Sequence, residues 1–237
     1  MSMKSILISI VILISIVASC SRPADFASQR KTMVEQQVLW RGVTDKRVLD
    51  AMLAVPREEF VLPQYKDKAY ADLEVPIGLE QTLDRPYEDA FIAQSLKLKP
   101  SDKTFEVGTG GGYLTAILAE LSKEVYTIDI VPELAEAARV RFEKLGYKNI
   151  FVKAGDGYAG WPEHAPFDAI VFTCSPDEIP KPLIEQLAEG GRMVLPLGGE
   201  EKFQELLLYT KKNGKLEGPV RLAAVTFVPM KGKILER

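Results

Sequence analysis

The run Thr104-Phe105-Glu106-Val107-Gly108-Thr109-Gly110-Gly111-Gly112-Tyr113 limits this chain more than any other stretch of it. An apolar strand enters a glycine loop, and a helix follows from Tyr113 to Glu120. A second strand, Glu124-Val125-Tyr126-Thr127-Ile128, then ends in Asp129. Strand, glycine turn, helix and strand make a βαβ unit, which demands a parallel sheet. In such a unit the glycines let a ligand approach the backbone. The helix N-terminus faces that ligand, and a carboxylate about 20 residues on accepts ribose hydroxyls.

The ligand's class follows from what departs from the dinucleotide pattern. Gly108 and Gly110 fit G-x-G-x-x-G, but its third glycine is replaced by Tyr113. Glu106 stands at the carboxyl end of the first strand, where an acid suits a cationic ligand better than a pyrophosphate. S-adenosylmethionine carries a sulfonium and an amine and no phosphate, so it fits better than NAD.

Alternation continues along the chain. Strands are expected near 104–108, 124–128, 149–153 and 168–173, with helices at 113–120 and 133–145. Leu134, Ala138, Phe142 and Leu145 give the second helix an apolar stripe. Ahead of them come amphipathic helices from Asp25 to Trp40 and from Asp45 to Val55, mixed loops to Gln81, and a helix opened by Pro86. After Pro180 a helix is expected to about Ala188, stopped by Gly190-Gly191. Strands near Arg192–Leu195, Glu205–Thr210 and Ala223–Val228 complete the chain. The expected fold is α/β, Rossmann-like and doubly wound. Its sheet is mostly parallel with an antiparallel C-terminal edge, and residues 25–100 form an N-terminal helical extension of a domain covering 25–237.

Composition narrows the partners. At 237 residues and 46% hydrophobic content the chain can bury one large core. A net charge of −3 with interspersed signs argues against general nucleic-acid affinity. One histidine, His164, and two cysteines argue against a zinc site. His164 reads as a solvated loop residue, and Cys174 as a small buried thiol at a strand end. Residues 1–19 read as a secretory signal: Lys4, an apolar run from Ile6 to Val17, then small residues. The run is short for a spanning helix, which needs about 20 apolar residues. Val17-Ala18-Ser19-Cys20 resembles a bacterial lipobox, which implies a lipid anchor on Cys20 and a place in the cell envelope. Initiation at Met33 would instead give a cytoplasmic form.

Several separate stretches resemble the protein-L-isoaspartate O-methyltransferases. They include Val55-Pro56-Arg57-Glu58-Glu59-Phe60-Val61, Pro76-Ile77-Gly78, Gln81-Thr82-Leu83, Glu106-Val107-Gly108-Thr109-Gly110 and Gly155-Asp156-Gly157-Tyr158. The resemblance covers roughly residues 25 to 230. It implies a class I methyltransferase, acting as a monomer, that methylates isoaspartyl residues of damaged proteins with S-adenosylmethionine. It implies cofactor contacts from Glu106, Gly108, Thr109, Gly110, Asp129, Asp156 and Gly157, with Asp156 at the adenine amino group. Thr82 and Asp84 would stand at the catalytic, acceptor end. The chain departs from the family there: Glu80 replaces a glycine, and Asp84 replaces a serine that hydrogen-bonds the substrate carboxylate. Two carboxylates about 4 Å apart repel by roughly 4 kcal/mol at an effective dielectric of about 20. Neutralisation by Arg85, or protonation of Asp84, would offset that. Two other functions stay open on these residues: a class I methyltransferase with another acceptor, and a non-catalytic envelope lipoprotein that binds peptide or cofactor.

Overall fold

The computed structural model describes residues 25–198 and 203–235. The expected signal segment and Cys20 lie outside them. Seven strands form one sheet in the order β5-β4-β3-β6-β7-β8-β9, where β3 is Lys103–Val107, β4 Glu124–Asp129, β5 Ile150–Ala154 and β6 Phe167–Phe172. The remaining three are β7 Leu187–Leu197, β8 Gln204–Lys212 and β9 Lys215–Val225. The pairings β5–β4, β4–β3, β3–β6 and β6–β7 are parallel, and β7–β8 and β8–β9 are antiparallel. A separate hairpin pairs β1 (Val75–Gly78) with β2 (Gln81–Leu83).

The central strands are apolar on both faces because both faces are covered. Ala169, Val171 and Val194 face the larger core with α4 (Tyr113–Leu121) and α5 (Pro132–Leu145). Their alternates Phe105, Val107, Ile170, Phe172 and Met193 face a second core with Leu183 of α6 (Lys181–Gln186). Helix α4 is buried at every residue except Glu120, since α2 (Lys46–Ala54) and α3 (Pro86–Leu96) cover its outer side. The N-terminal segment adds Met33, Val34, Val48, Ala51 and Met52 to that core. Its first helix, α1 (Phe26–Met33), continues through a π turn (Val34–Val38) and a 3₁₀ turn to Arg41.

Chain order places a ligand site. From β3 the chain winds outward through β4 to β5, then returns to add β6 on the other side of β3. The crevice beyond the carboxyl ends of β3 and β6 is the switch point where such sheets bind ligands.

Three expectations need correction. The helix after Pro180 ends at Gln186, and Leu187–Gly191 belong to β7, because Leu187 pairs with Phe167 before a bulge carries the strand on. The last strand begins at Lys215 rather than Ala223. Asn213 (φ 52°) and Gly214 (φ 73°) make a two-residue turn that starts β9 at once. His164 lies in the connection before β6, as expected, but is half-buried rather than freely solvated: its ring stacks on Tyr126 at 4.4 Å and meets Trp161 edge-on at 5.1 Å.

Candidate active site

A cavity of about 300 Å³ opens at the switch point. Its walls come from the glycine loop 108–112, the ends of β3, β4 and β6, Thr82 of the hairpin, Asp84 just after it, Asp89 of α3, and a C-terminal segment from Thr226 to Lys231. Of the sequence-derived residues, Thr82, Asp84, Glu106, Gly108, Thr109, Gly110, Asp129 and Gly157 all line it.

Glu106 forms the floor of this cavity and is fully buried. One carboxylate oxygen, Oε2, accepts hydrogen bonds from Thr115 Oγ1 (2.5 Å) and Thr127 Oγ1 (2.7 Å). Thr127 has a single hydroxyl proton and gives it to Glu106. Thr109 Oγ1, 2.7 Å away, therefore donates to Thr127. The chain of hydroxyls ties the loop, β4 and α4 to one carboxylate. The other oxygen, Oε1, has no partner among the described residues. Burial pushes the Glu106 carboxyl up to about 8, against the pull of the two hydroxyls. A cationic donor arriving at this unpartnered oxygen would displace the carboxyl's proton and complete the site, and the amine of S-adenosylmethionine is such a donor.

Asp129 clamps the loop from the other side. Its Oδ2 accepts from the Gly110 N–H (2.7 Å) and its Oδ1 from Val131 (2.9 Å). Both oxygens keep further lone pairs toward the cavity, as a ribose-binding carboxylate needs. Gly108 has φ +99°, and a side chain there would run into the Thr173 hydroxyl. That hydroxyl donates to the Gly108 carbonyl at 2.7 Å, locking the loop to the end of β6.

Asp156, expected at the adenine amino group, is held by two backbone N–H groups. Its Oδ1 accepts from the Tyr158 N–H (2.8 Å) and its Oδ2 from the Lys233 N–H (2.7 Å), and it does not line the cavity. Its neighbour Gly157 does. Asp156 thus anchors the C-terminal segment, which Ser175 also holds through the Val228 carbonyl and the Met230 N–H, both at 2.8 Å.

Arg57 and Asp89 escaped the sequence reading as site residues. They form a buried ion pair at 3.0 Å, with the guanidinium 4.5 Å from the centre of the Tyr113 ring. Arg57 also donates to the carbonyls of Ala69 (2.8 Å) and Asp84. It therefore braces the hairpin against α3 and α4. Arg57 stood within a motif quoted for the family resemblance. Asp89, in the first turn of a helix, looks like an ordinary helix-start acid, and only the fold shows its burial. Neither Thr173 nor the C-terminal wall carried a signal.

Arg85 does not neutralise Asp84. Arg85 is exposed at the start of α3, and no ion pair joins the two among the described residues. Cys174 is half-buried rather than buried and lines the cavity. Burial pushes its thiol up to about 12, so it stays protonated at neutral pH.

A Rossmann-like sheet with a glycine loop, an acid at each of two strand ends and an orphaned buried carboxylate at the switch point defines a class I methyltransferase that uses S-adenosylmethionine. A solved Plasmodium falciparum protein described as a protein-L-isoaspartate O-methyltransferase, in complex with S-adenosyl-L-homocysteine, superposes with a TM-score of 0.73 at 30% identity. The match covers 85% of this chain and 98% of that one. Another solved protein-L-isoaspartate O-methyltransferase gives a TM-score of 0.78 at 28% identity, over 86% of this chain and 67% of that one. Residues 28–235 match the family described as protein-L-isoaspartate(D-aspartate) O-methyltransferase, and the chain belongs to that family. It is 46% identical over 213 residues to the protein-L-isoaspartate O-methyltransferase of Picosynechococcus sp., covering 90% of this chain and 94% of the relative. It is 49% identical over 205 residues to that of Dictyoglomus turgidum, with 86% and 92% covered.

The buried acids set a pH dependence. Folded, cofactor-free protein keeps a proton on Glu106 up to about pH 8, whereas the unfolded chain loses it near 4.5. Across that window the folded state binds more protons, so stability falls as pH rises. Burial also raises the Asp89 carboxyl, against the pull of Arg57. Urea-unfolding midpoints of the cofactor-free protein should decline from about pH 5 to about pH 8, and Glu106→Gln should flatten part of that slope. Parallel slopes in the two proteins would contradict the assignment.

Proposed function

We propose that this chain methylates the free side-chain carboxylate of isoaspartyl residues in damaged proteins. The observation that carries the reading is the single cavity in which Glu106 and the glycine loop share walls with Thr82 of the hairpin and Asp84 just after it. Donor and acceptor ends therefore meet in one space. Bound S-adenosylmethionine supplies a methyl group on a sulfonium, whose bonding pair returns to sulfur as the acceptor oxygen forms its new bond.

The chain's own residues have little proton chemistry to do. An acceptor carboxylate is already ionised at neutral pH, so a base is not required. The lone histidine, stacked on Tyr126, is not on the cavity wall. Positioning and exclusion of water supply the rate, an effect worth about 7–11 kcal/mol at best. The loop tied by Glu106, Thr173 and Asp129 fixes one end, and the hairpin braced by Arg57 fixes the other.

The N-terminal residues support a second proposal, that the enzyme is tethered to the bacterial envelope through lipid on Cys20. Lys4, the apolar run and the Val17-Ala18-Ser19-Cys20 sequence support it, and the family match begins only at residue 28. Metabolic labelling with palmitate should mark the natural chain and not Cys20→Ser; equal labelling, or none in either, would remove the proposal.

The transfer itself is tested with labelled S-adenosylmethionine and matched isoaspartyl and aspartyl peptides. Label should appear with the isoaspartyl peptide only, as a base-labile ester. Equal labelling of both peptides, or label on neither, would overturn the reading.

A further inference from the structure

The two halves of the glycine loop are fastened by different parts of the fold. The first half is held from the strand ends: the Gly108 carbonyl accepts from the Thr173 hydroxyl, and the Gly110 N–H donates to Asp129. The second half lies under the hairpin. A side chain at Gly111 would stand 2.8 Å from Leu83 Cδ1, 3.2 Å from the Phe60 carbonyl oxygen and 3.5 Å from Ile77 Cγ2. Ile77 belongs to β1 and Leu83 to β2. Both strands of the hairpin therefore rest on the Gly111 peptide with no Cβ between. The height of that peptide decides how far the acceptor end stands from the cofactor end.

Helix α5 holds this second half. Arg141 Nη1 donates to the Gly111 carbonyl at 2.9 Å, and the Phe142 ring fills the space that a side chain at Gly112 would take. Arg141 is half-buried, with its guanidinium 5.8 Å from the centre of the Phe60 ring. The Gly111 carbonyl is its one hydrogen-bond acceptor among the described residues, and no ion pair competes for it there. Glu59, the acid whose charge acts on Arg141, is bound to Lys66 at 2.9 Å and to Lys144 at 2.8 Å. A cation drawn partly out of water without a carboxylate is unfavourable by itself. What its position provides is a charge-assisted bond to the loop, stronger than a neutral one.

We infer that Arg141 is a positioning residue that seats the hairpin half of the glycine loop and, through Gly111, sets the distance between acceptor and methyl donor. This rests on the isoaspartyl reading above and deepens it. Arg141 lines no part of the cavity, so it acts through the loop and the hairpin. The cofactor half keeps its own clamps, Thr173 and Asp129, when Arg141 is lost. A misplacement of about 1 Å between reacting groups costs up to about a hundredfold in rate. Loss of Arg141 is therefore read in turnover and not in cofactor affinity.

The test compares the natural chain with Arg141→Met, which keeps an apolar stem and loses the donor, and Arg141→Lys, which keeps a charged donor. Three quantities are read: kcat with an isoaspartyl peptide, affinity for S-adenosylhomocysteine, and hydrogen exchange across residues 75–83 and 104–110. In Arg141→Met, kcat should fall by about ten- to a hundredfold while affinity stays that of the natural chain. Exchange should quicken across 75–83 and stay unchanged across 104–110. Arg141→Lys should recover part of kcat and slow the hairpin exchange again. Affinity falling in step with kcat would overturn the inference, because the loop would then be loosened as a whole. So would natural kcat and natural exchange in Arg141→Met, or an Arg141→Lys no faster than Arg141→Met. If the natural chain methylates no isoaspartyl peptide, the isoaspartyl reading fails by itself. Exchange across 75–83 then still decides whether Arg141 seats the hairpin.

Discussion

The site depends on one buried carboxylate. Glu106 ends a strand that has the sheet on both sides of it, and it is shielded from water. A charge there without partners would be prohibitive, so the surrounding sequence supplies hydroxyls: Thr115 from the helix and Thr127 from the next strand, with Thr109 of the loop behind Thr127. That arrangement joins four elements at the point where the ligand enters. It also leaves one oxygen unmatched, which makes the pocket complete only when a donor arrives. Stability given up in the empty site is thereby available to binding.

The acceptor end is built on a different principle. The hairpin is narrow, and its turn holds Leu79 (φ 53°) and Glu80 (φ 58°) in the left-handed region, which costs a non-glycine residue roughly 1–2 kcal/mol. Arg57 holds the other end of the hairpin. Buried between Asp89, the Tyr113 ring and two main-chain carbonyls, it fastens the hairpin to the body of the protein. Removing one partner of such a buried pair typically costs about 3–5 kcal/mol. The glycine expected at position 80 by family resemblance is the residue that this backbone conformation favours.

Much of the sheet was legible because its signals are local. Alternating strands and helices, the loop glycines, and Pro86 and Pro132 at helix starts each state a conformation within a few residues. Errors arose where a partner decides. Gly190-Gly191 looks like a helix stop, but Leu187 had already paired with Phe167 across the sheet. His164 looks solvated until Tyr126 and Trp161 come beside it. The same division holds in the site. Glu106, Gly108 and Asp129 are readable from spacing. Asp156 is named by its motif, but its hold on the C-terminal segment through the Lys233 N–H appears only in the fold. Asp89 and Thr173 acquire meaning only when the chain brings the cavity around them.

The central claim, that a bound ligand completes Glu106, is tested most directly by calorimetric titration of S-adenosylhomocysteine in buffers of different ionisation enthalpy near pH 7. A cationic amine meeting Glu106 should draw its carboxyl down from about 8, so binding should release close to one proton. Glu106→Gln should bind more weakly and release correspondingly less. Equal proton release and equal affinity in the two proteins would contradict the account.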